Sequence, residues 1–321
     1  MKTAVSNSEV LRTPESRFAG LPQFPHTPRY IDVPDERFGT LRMAFIDEGP
    51  ADAPAVLMLH GMPTWSFLYR KLIAPVAAAG FRAVVPDYIG FGRSDKPADR
   101  THYTYARHVA WTRALIEALG LERITLLAQD WGGPIGLRIL SELPARFAGV
   151  VVANTLLPTF EPPPSGIADW PGEAIRAWSA STRALGDLNV SAHVFGVAPE
   201  AARAYDAPFP DASYKAGVLE FPALIPVRPD MPGIAENRRA WRVLERFERP
   251  FLTAFSDGDP FTKAWEAVFR ARVPGARGQA HTEIAGAGHF LQEERGEALA
   301  QVLVEFLGRV HGRGQGIRRD Q

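Results

Sequence analysis

Residues 124–133 read Ile-Thr-Leu-Leu-Ala-Gln-Asp-Trp-Gly-Gly. The β-branched and leucine-rich residues 124–128 predict a buried strand, and the paired glycines Gly132 and Gly133 indicate that a helix opens directly after it. A strand, a sharp turn and a helix in this order are typical of the elbow in G-x-S-x-G sequences. We therefore expect Asp130 at the apex of an elbow, where many hydrolases carry a serine.

A carboxylate at the apex changes the chemistry that the elbow supports. Asp130 is ionised at neutral pH, whereas a serine must lose its proton before it attacks. Attack by a serine on saturated carbon would leave an ether, which water cannot easily cleave, but attack by a carboxylate leaves an ester, which water can cleave. The residue therefore indicates substitution at saturated carbon followed by ester hydrolysis. The alternative is an aspartate that only caps the following helix.

Segments on both sides of the elbow alternate between apolar strands and amphipathic helices. Strands are predicted at residues 42–47, 56–59, 81–85, 149–153, 251–255 and 281–284, and helices at residues 66–79, 105–119, 237–248 and 263–272, with a final helix through Leu299, Leu303 and Phe306. The residues before 42 are expected to be irregular. Strands that alternate with helices indicate a mainly parallel sheet covered on both faces.

The alternation breaks between residues 156 and 232, where prolines cluster at positions 158, 162, 163 and 164. We interpret this stretch as an inserted, mostly helical cap. The predicted division is a first core part at residues 1–155, the cap at 156–232, a second core part at 233–312 and a flexible tail at 313–321.

The composition excludes several classes of partner and site. Lysine plus arginine and aspartate plus glutamate both total 36 in 321 residues, so no net charge favours nucleic acid or an anionic membrane. The chain has no cysteine, which excludes disulfides and thiolate metal sites. It contains neither a signal-peptide pattern nor an apolar run of roughly 18 residues. These features predict a cytoplasmic protein.

Four polar segments follow predicted strands, at the edge of the sheet where the ligands of parallel sheets bind. They are residues 60–65, 130–131, 256–260 and 286–290. Taken in chain order, Asp130, Asp259 and His289 supply a nucleophile, an acid and a base, which is the order in hydrolases that use this elbow.

His289 is predicted to act as the base that takes a proton from water, and Asp259 as the acid that orients the imidazole. His289 lies in a loop of small residues after the last predicted strand, and its alternative is a buried structural histidine. Asp257 competes with Asp259 for the position of the acid, and both aspartates could instead serve the turn.

Five runs of the sequence resemble haloalkane dehalogenases of the α/β-hydrolase superfamily. They read HGMPTWSFLYRKLI, PDYIGFGRSDKP, LLAQDWGG, YDAPFPDASYKAGVLEFP and AGHFLQEE, and the likeness extends from about residue 12 to residue 310. The resemblance implies an α/β-hydrolase fold with a mainly parallel eight-stranded sheet and an inserted helical cap. It further implies hydrolysis of small haloalkanes to alcohol and halide through an alkyl ester of Asp130.

The resemblance also assigns residues to halide and oxyanion binding. The indole N–H groups of Trp131 and Trp178 would hold the departing halide, as in subgroup one, and the backbone N–H groups of Met62 and Trp131 would form an oxyanion hole. Relatives commonly carry Glu or Asn at the position of Met62, so the second halide donor falls to Trp178. Some members place the acid where this chain has Asn154, which cannot carry a charge.

The remaining expectations concern the pocket and the partners. The apolar residues expected to line the substrate pocket are Phe67, Pro134, Leu156, Val218, Phe221, Pro222, Ile225 and Phe261. The expected partners are a small apolar halogenated substrate, water and the halide ion, with no nucleic acid and no membrane. The resemblance implies neither a metal nor an organic cofactor, and we expect a monomer or a weak homo-oligomer.

Other functions remain open on the sequence. An epoxide hydrolase also uses an elbow aspartate, but that family favours a histidine before it and paired tyrosines in the cap. This chain has Gln129 before Asp130, and its Tyr205 and Tyr214 lie in a segment that matches the dehalogenase cap. A luciferin-oxidising monooxygenase shares the scaffold and these residues. A ligand-binding receptor would keep the pocket but would not need the acid and the base.

Overall fold

A computed structural model of the chain describes residues 9–161, 173–183 and 185–312. The prolines predicted to open the cap at positions 162–164 and the predicted tail at 313–321 lie outside these residues.

The bounds of the secondary-structure elements are as follows. The strands are β1 (Val10–Leu11), β2 (Arg29–Asp35), β3 (Gly39–Glu48), β4 (Ala55–Leu59), β5 (Arg82–Pro86), β6 (Lys96–Pro97), β7 (Ile124–Asp130), β8 (Phe147–Thr155) and β9 (Phe251–Thr253). The α-helices are α1 (Arg70–Ala78), α2 (Tyr105–Ala118), α3 (Gly132–Glu142), α4 (Glu173–Arg183), α5 (Pro199–Asp206), α6 (Ala216–Leu224), α7 (Ile234–Leu244), α8 (Trp265–Arg272) and α9 (Leu291–Val310). Short 3₁₀ helices occur at Glu15–Phe18, Ser66–Tyr69, Arg100–His102, Pro144–Arg146, Ser191–His193, Ala212–Lys215 and Pro274–Ala276.

One seven-stranded sheet, in the spatial order β2, β3, β5, β4, β7, β8, β9, runs through the described part of the chain. The pairs β4·β5, β4·β7, β7·β8 and β8·β9 are parallel, and the pairs β2·β3 and β3·β5 are antiparallel. Strands β1 and β6 pair separately with each other. The mainly parallel sheet, with helices between its strands, confirms the predicted α/β class.

The expectation of an irregular lead before residue 42 was wrong for residues 29–35. These residues form β2, which pairs antiparallel with β3. Pro34 makes the segment a poor candidate for a central strand, because proline cannot donate to the hydrogen-bond ladder. An edge strand tolerates proline, and β2 lies at the edge of the sheet.

The prediction of eight strands was wrong in the described residues, because the segment 281–284 does not form a strand. Only Ser256 and Ile284 form a bridge there. The N–H of Thr253, on β9, donates to the ring Nδ1 of His281 at 3.1 Å. A side chain therefore takes a place that a backbone carbonyl would fill in a regular ladder. The backbone N–H groups of Thr282 and Ile284 still donate to the oxygens of Thr253 and Phe255, at 3.1 and 2.8 Å, so the segment lies alongside β9 without completing a strand.

The two glycines after the elbow allow α3 to pack tightly on the sheet. A Cβ atom at Gly132 would meet the backbone oxygen of Leu59, at the end of β4. A Cβ atom at Gly133 would meet the hydroxyl oxygen of Thr155, at the end of β8. The sequence pair Gly-Gly is thus required by the close approach of the helix to both neighbouring strands.

Helices α4, α5 and α6 lie between β8 and α7, within the stretch predicted as the cap. Helix α5 is tied to the core, since the indole of Trp65 donates to the backbone oxygen of Ala204 at 2.9 Å and the hydroxyl of Tyr205 donates to the buried Glu293 of α9. The limits predicted for the cap, at residues 156–232, and for the two parts of the core, at residues 1–155 and 233–312, stay predictions. Within the described ranges, none of the helices combines the length and the apolar composition that a membrane-spanning segment needs.

Candidate active site

The apex of the elbow carries backbone strain. Asp130, the last residue of β7, has a φ of 49°, in the left-handed region that non-glycine residues rarely adopt. Its backbone oxygen accepts a hydrogen bond from the hydroxyl of Thr155 at 2.6 Å, which helps to hold this conformation. A Cβ atom at Gly61 would meet the Asp130 side chain, so the loop after β4 lies directly against the carboxylate. Such strain is typical of functional sites.

The Asp130 carboxylate contacts two of the predicted site residues. Oδ1 accepts a hydrogen bond from the backbone N–H of Met62 at 2.8 Å. Oδ2 lies 3.2 Å from Nε2 of His289. The structure therefore brings the predicted nucleophile, the predicted base and one of the two predicted oxyanion donors together at one point.

The choice between the two aspartates follows from their contacts. Asp259 is buried, and its Oδ1 lies 3.0 Å from Nδ1 of His289. The backbone N–H of Thr262 donates to Oδ2 of Asp259 at 3.0 Å. Asp257 instead accepts hydrogen bonds from the backbone N–H groups of Gly286 at 2.9 Å and Ala287 at 3.2 Å. Asp259 thus faces the histidine, and Asp257 holds the loop.

The charges around His289 favour its protonated form. Burial lowers the pKa of the imidazole, but the hydrogen bonds and negative charges of Asp130 and Asp259 outweigh it and raise the pKa to about 10. Burial alone would raise the pKa of Asp259, but its contacts with His289 lower it. Asp259 therefore stays ionised and stabilises an imidazolium.

Asn154, at the end of β8, fixes the loop that carries His289. Its Nδ2 donates to the backbone oxygens of Gly288 at 2.9 Å and His289 at 3.0 Å, and its Oδ1 accepts from the backbone N–H of Ser256 at 2.9 Å. Sequence reasoning identified this residue only as an acid that is missing. The one feature of the sequence that could have indicated this role is a polar amide near the end of an otherwise apolar strand, because a buried polar group requires hydrogen-bond partners.

A cavity of about 340 Å³ opens above the Asp130 carboxylate. Its walls include both predicted halide donors, Trp131 and Trp178. Within the described residues, no protein group accepts a hydrogen bond from either indole N–H. Trp131 is almost fully buried, and its ring packs 5.1 Å from that of Phe221. Donors without an acceptor in the protein are suited to an anion or a polar leaving group in the cavity.

The other walls of the cavity are partly those expected. The predicted residues that line it are Pro134, Leu156, Ile225 and Phe261. Phe67, Val218, Phe221 and Pro222 are buried but are not among its described walls, so their assignment to the pocket was wrong. Four further wall residues, from α4 and the segment after it, were not predicted, namely Ile175, Ala192, His193 and Phe195. In the described ranges, no group of three or more acidic, histidine or cysteine side chains could hold a metal ion.

Comparisons with known proteins agree with this geometry. Residues 54–195 match the family described as alpha/beta hydrolase fold. A haloalkane dehalogenase of Psychrobacter cryohalolentis is 48% identical, over 93% of this chain and 98% of that protein, and one of Mycobacterium marinum is 45% identical, over 93% and 99%. Haloalkane dehalogenase DpaA of Paraglaciecola agarilytica, whose structure is described as tetrameric, superposes with a TM-score of 0.81 at 37% identity, over 91% of this chain and 97% of that one. With almost its whole length aligned at these identities, the chain belongs to the haloalkane dehalogenase family of alpha/beta hydrolases.

Proposed function

We propose that the protein hydrolyses haloalkanes to an alcohol and a halide through a covalent ester on Asp130. The observation that carries the proposal is the carboxylate itself. It stands at the apex of the elbow, under an apolar cavity with two indole N–H donors, and 3.2 Å from His289. Water is the only cosubstrate that this chemistry needs.

In the first step, Oδ2 of Asp130 attacks the carbon that bears the halogen. Oδ1 is held by the N–H of Met62 at 2.8 Å, so we assign the attack to Oδ2, whose contact in the free enzyme is Nε2 of His289 at 3.2 Å. The carbon–oxygen bond forms as the carbon–halogen bond breaks, and the halide leaves with the bonding electron pair. The indole N–H groups of Trp131 and Trp178 donate to the departing anion.

In the second step, Nε2 of His289 takes a proton from a water molecule, and the resulting hydroxide attacks the carbonyl carbon of the ester. Charge then develops on Oδ1, where the N–H of Met62 already lies, and the N–H of Trp131 is proposed as the second donor. Collapse of the intermediate breaks the bond to the alkoxide, which takes the proton of the new carboxyl group and leaves as the alcohol. The carboxylate is thereby restored, and the proton on the imidazolium is the one released to solvent. Because Met62 acts through its backbone, its unusual side chain does not affect this role.

The two steps are coupled through charge. Asp130 and Asp259 both raise the pKa of His289 in the free enzyme. Once Asp130 becomes an ester its negative charge is lost, and only Asp259 still favours the imidazolium. The proton affinity of His289 therefore falls when the ester exists, which is when the reaction requires a base.

Variants of the proposed residues test this scheme with 1-bromobutane as substrate. Asp130→Asn should release no bromide, because an amide does not displace it. His289→Phe should release one bromide per enzyme and then stop with the ester in place. The turnover rate of Asp259→Asn should fall strongly, because the imidazolium loses its carboxylate partner. The matched control Asp257→Asn should keep turning over, because Asp257 bonds only to the backbone of Gly286 and Ala287. Continued turnover by Asp130→Asn, or no bromide burst from His289→Phe, would contradict the proposal.

The same assay separates this activity from the alternatives. An epoxide hydrolase would need tyrosines at the cavity, but neither Tyr205 nor Tyr214 is among the described wall residues. The hydroxyl of Tyr205 is instead bonded to Glu293. We expect turnover of 1-bromobutane and 1,2-dibromoethane, and none of an epoxide supplied alongside them.

The quaternary state and the location remain predictions. We expect a monomer or a weak homo-oligomer in the cytoplasm, although the related DpaA, at 37% identity, is described as a tetramer. Light scattering on the purified protein across a dilution series distinguishes these states. A tetramer that persists on dilution would overturn the expectation.

A further inference from the structure

Gln129 lies against the proposed base. It is the penultimate residue of β7, directly before Asp130, and its side chain is fully buried. Its amide Nε2 lies 3.2 Å from the backbone oxygen of His289 and 3.3 Å from the ring Nε2 of the same residue. One amide group therefore contacts both the loop that carries the base and the nitrogen that accepts the proton.

The polarity of this contact favours one protonation state of the ring. The backbone oxygen of His289 only accepts hydrogen bonds, so the NH₂ end of the Gln129 amide must face it. A neutral imidazole with its proton on Nδ1, toward Asp259, presents a lone pair at Nε2 to that donor. A protonated ring would instead direct an N–H toward an N–H. The contact with Gln129 thus favours the neutral ring, whereas the carboxylates of Asp130 and Asp259 favour the protonated ring.

The other end of the amide has no such role. Oε1 of Gln129 is buried and has no hydrogen-bond partner within the described part of the chain. An unpartnered buried amide oxygen is unfavourable, and a methionine of similar length would fill the space without it. A glutamine at this position is therefore explained by what its NH₂ end does at His289.

We propose that Gln129 is a positioning residue that keeps Nε2 of His289 oriented and available as a proton acceptor during hydrolysis of the ester. This inference rests on the proposed two-step function. It concerns the second step, because alkylation of Asp130 removes the charge that competes with the amide at Nε2. The other groups around the ring fit this assignment.

The groups that surround the His289 ring each contact a different part of it or of its loop. Asp259 faces Nδ1, and the rings of Phe261 and Phe290 pack on the imidazole at 5.3 and 5.0 Å. On α9, the carboxylate of Glu294 is bonded to the backbone N–H of Gly288 at 2.6 Å, and that of Glu293 is paired with Arg70. Within the described residues, Gln129 is therefore the neutral donor at Nε2.

The test compares Gln129→Met with the matched control Gln292→Met. Gln292 is equally buried, three residues after His289, and its amide interacts with the hydroxyl of Tyr69 and makes no hydrogen bond to His289 in the described ranges. With 1-bromobutane, Gln129→Met should keep the rate and size of the bromide burst. Its steady-state rate at neutral pH should fall several-fold, up to about tenfold, and the acidic limb of its pH profile should move up by as much as about one unit. In Gln292→Met, the steady-state rate and the acidic limb of the pH profile should both be unchanged.

A second substitution keeps the test decisive if the methionine variant folds poorly. Gln129→Glu preserves the shape but places a carboxylate at Nε2, so the acidic limb should move to still higher pH. An unchanged pH profile in both Gln129 variants, or equal slowing of the burst and the steady state, would overturn the inference. Absence of any bromide release by the unsubstituted enzyme would instead overturn the proposed function, so the two failures are distinguishable.

Discussion

At the scale of single residues, the two candidate halide donors differ in their surroundings. Trp131 is fixed by the elbow and packs against Tyr105 and Phe221 at ring distances of 5.4 and 5.1 Å. Trp178 lies on α4 and is only partly buried. Because Trp178 lies on a helix of the inserted segment, its indole N–H can bind halide although its side chain adds little to the packing of the core.

Trp178→Phe should therefore weaken halide binding with little loss of stability. Loss of one charge-assisted hydrogen bond should lower the affinity for bromide about tenfold or more. Quenching of tryptophan fluorescence by added bromide measures this affinity. Ile175→Val, on the same helix and also in the cavity wall, is the matched control and should bind bromide as before. Equal affinity in Trp178→Phe and the control would argue against the second donor.

The sequence predicted the reactive groups better than the residues that support them. Asp130 ends β7 and His289 follows a segment with a strand-like composition, and the residue types of both suit the predicted chemistry. Asp257 and Asp259 could not be separated, because both lie in one turn and only the direction of each side chain decides. The supporting contacts of Gln129 and Asn154 were missed, because a strand pattern does not say which loop a buried amide will meet.

At the scale of elements, the elbow depends on the close approach of α3 to its neighbouring strands. A methyl group at Gly133 would meet the hydroxyl of Thr155, which itself bonds to the backbone of Asp130. Gly133→Ala should destabilise the protein by about 1–3 kcal/mol through overpacking and should disturb the apex. Gly186, with no atom within 4 Å of the added methyl, is the control.

Denaturant unfolding of the two alanine variants measures this effect. Equal midpoints for Gly133→Ala and Gly186→Ala would contradict the packing argument. A lower midpoint for Gly133→Ala together with a smaller bromide burst would support it, since both the strand contact and the apex depend on Thr155.

The elements that alternate regularly were predictable, and the exceptions have local causes. Residues 29–35 contain a proline that only an edge strand accommodates, so the pattern favoured a loop. Residues 281–284 have a strand-like composition, but the ring of His281 takes a backbone N–H from β9. Both outcomes depend on tertiary partners that a single segment does not reveal.

At the scale of the whole molecule, buried histidines should limit stability in acid. Burial lowers the pKa of His60 to about 4 and that of His108 to about 3, below the value of about 6.5 in an unfolded chain. The unfolded state therefore binds these protons first, and the stability present above pH 6.5 is lost as the pH falls toward 4 and 3.

The contribution of His289 to the pH dependence of stability has the opposite sign, because its pKa is raised to about 10. Its contribution is full below about 6.5 and is lost as the pH rises through 10.

Urea unfolding at a series of pH values tests this prediction with His108→Phe. Each buried neutral histidine should contribute a slope of up to about 1.4 kcal/mol per pH unit between pH 6.5 and its folded pKa. The variant should lose stability less steeply than the unsubstituted protein over that range. Parallel pH dependences would mean that His108 is not held neutral in the fold.

The inserted segment was the least predictable part of the molecule. Its α-helices in the described residues are short, and α6 contains a proline, so periodicity alone did not fix their limits. Residues such as Ala192 and Phe195 reach the cavity only because α4, α5 and α6 are placed over the sheet. That placement depends on contacts such as those of Trp65 and Glu293, which are far apart in the chain.

The most direct test of the account follows the oxygen atom through a single turnover. With enzyme in excess over 1-bromobutane in heavy-oxygen water, an ester on Asp130 predicts that the first alcohol carries light oxygen from the carboxylate. The heavy label should then appear in the peptide that contains Asp130. Alcohol that carries the heavy label in that first turnover, with no label in the peptide, would mean that water attacks the substrate directly and would contradict the account.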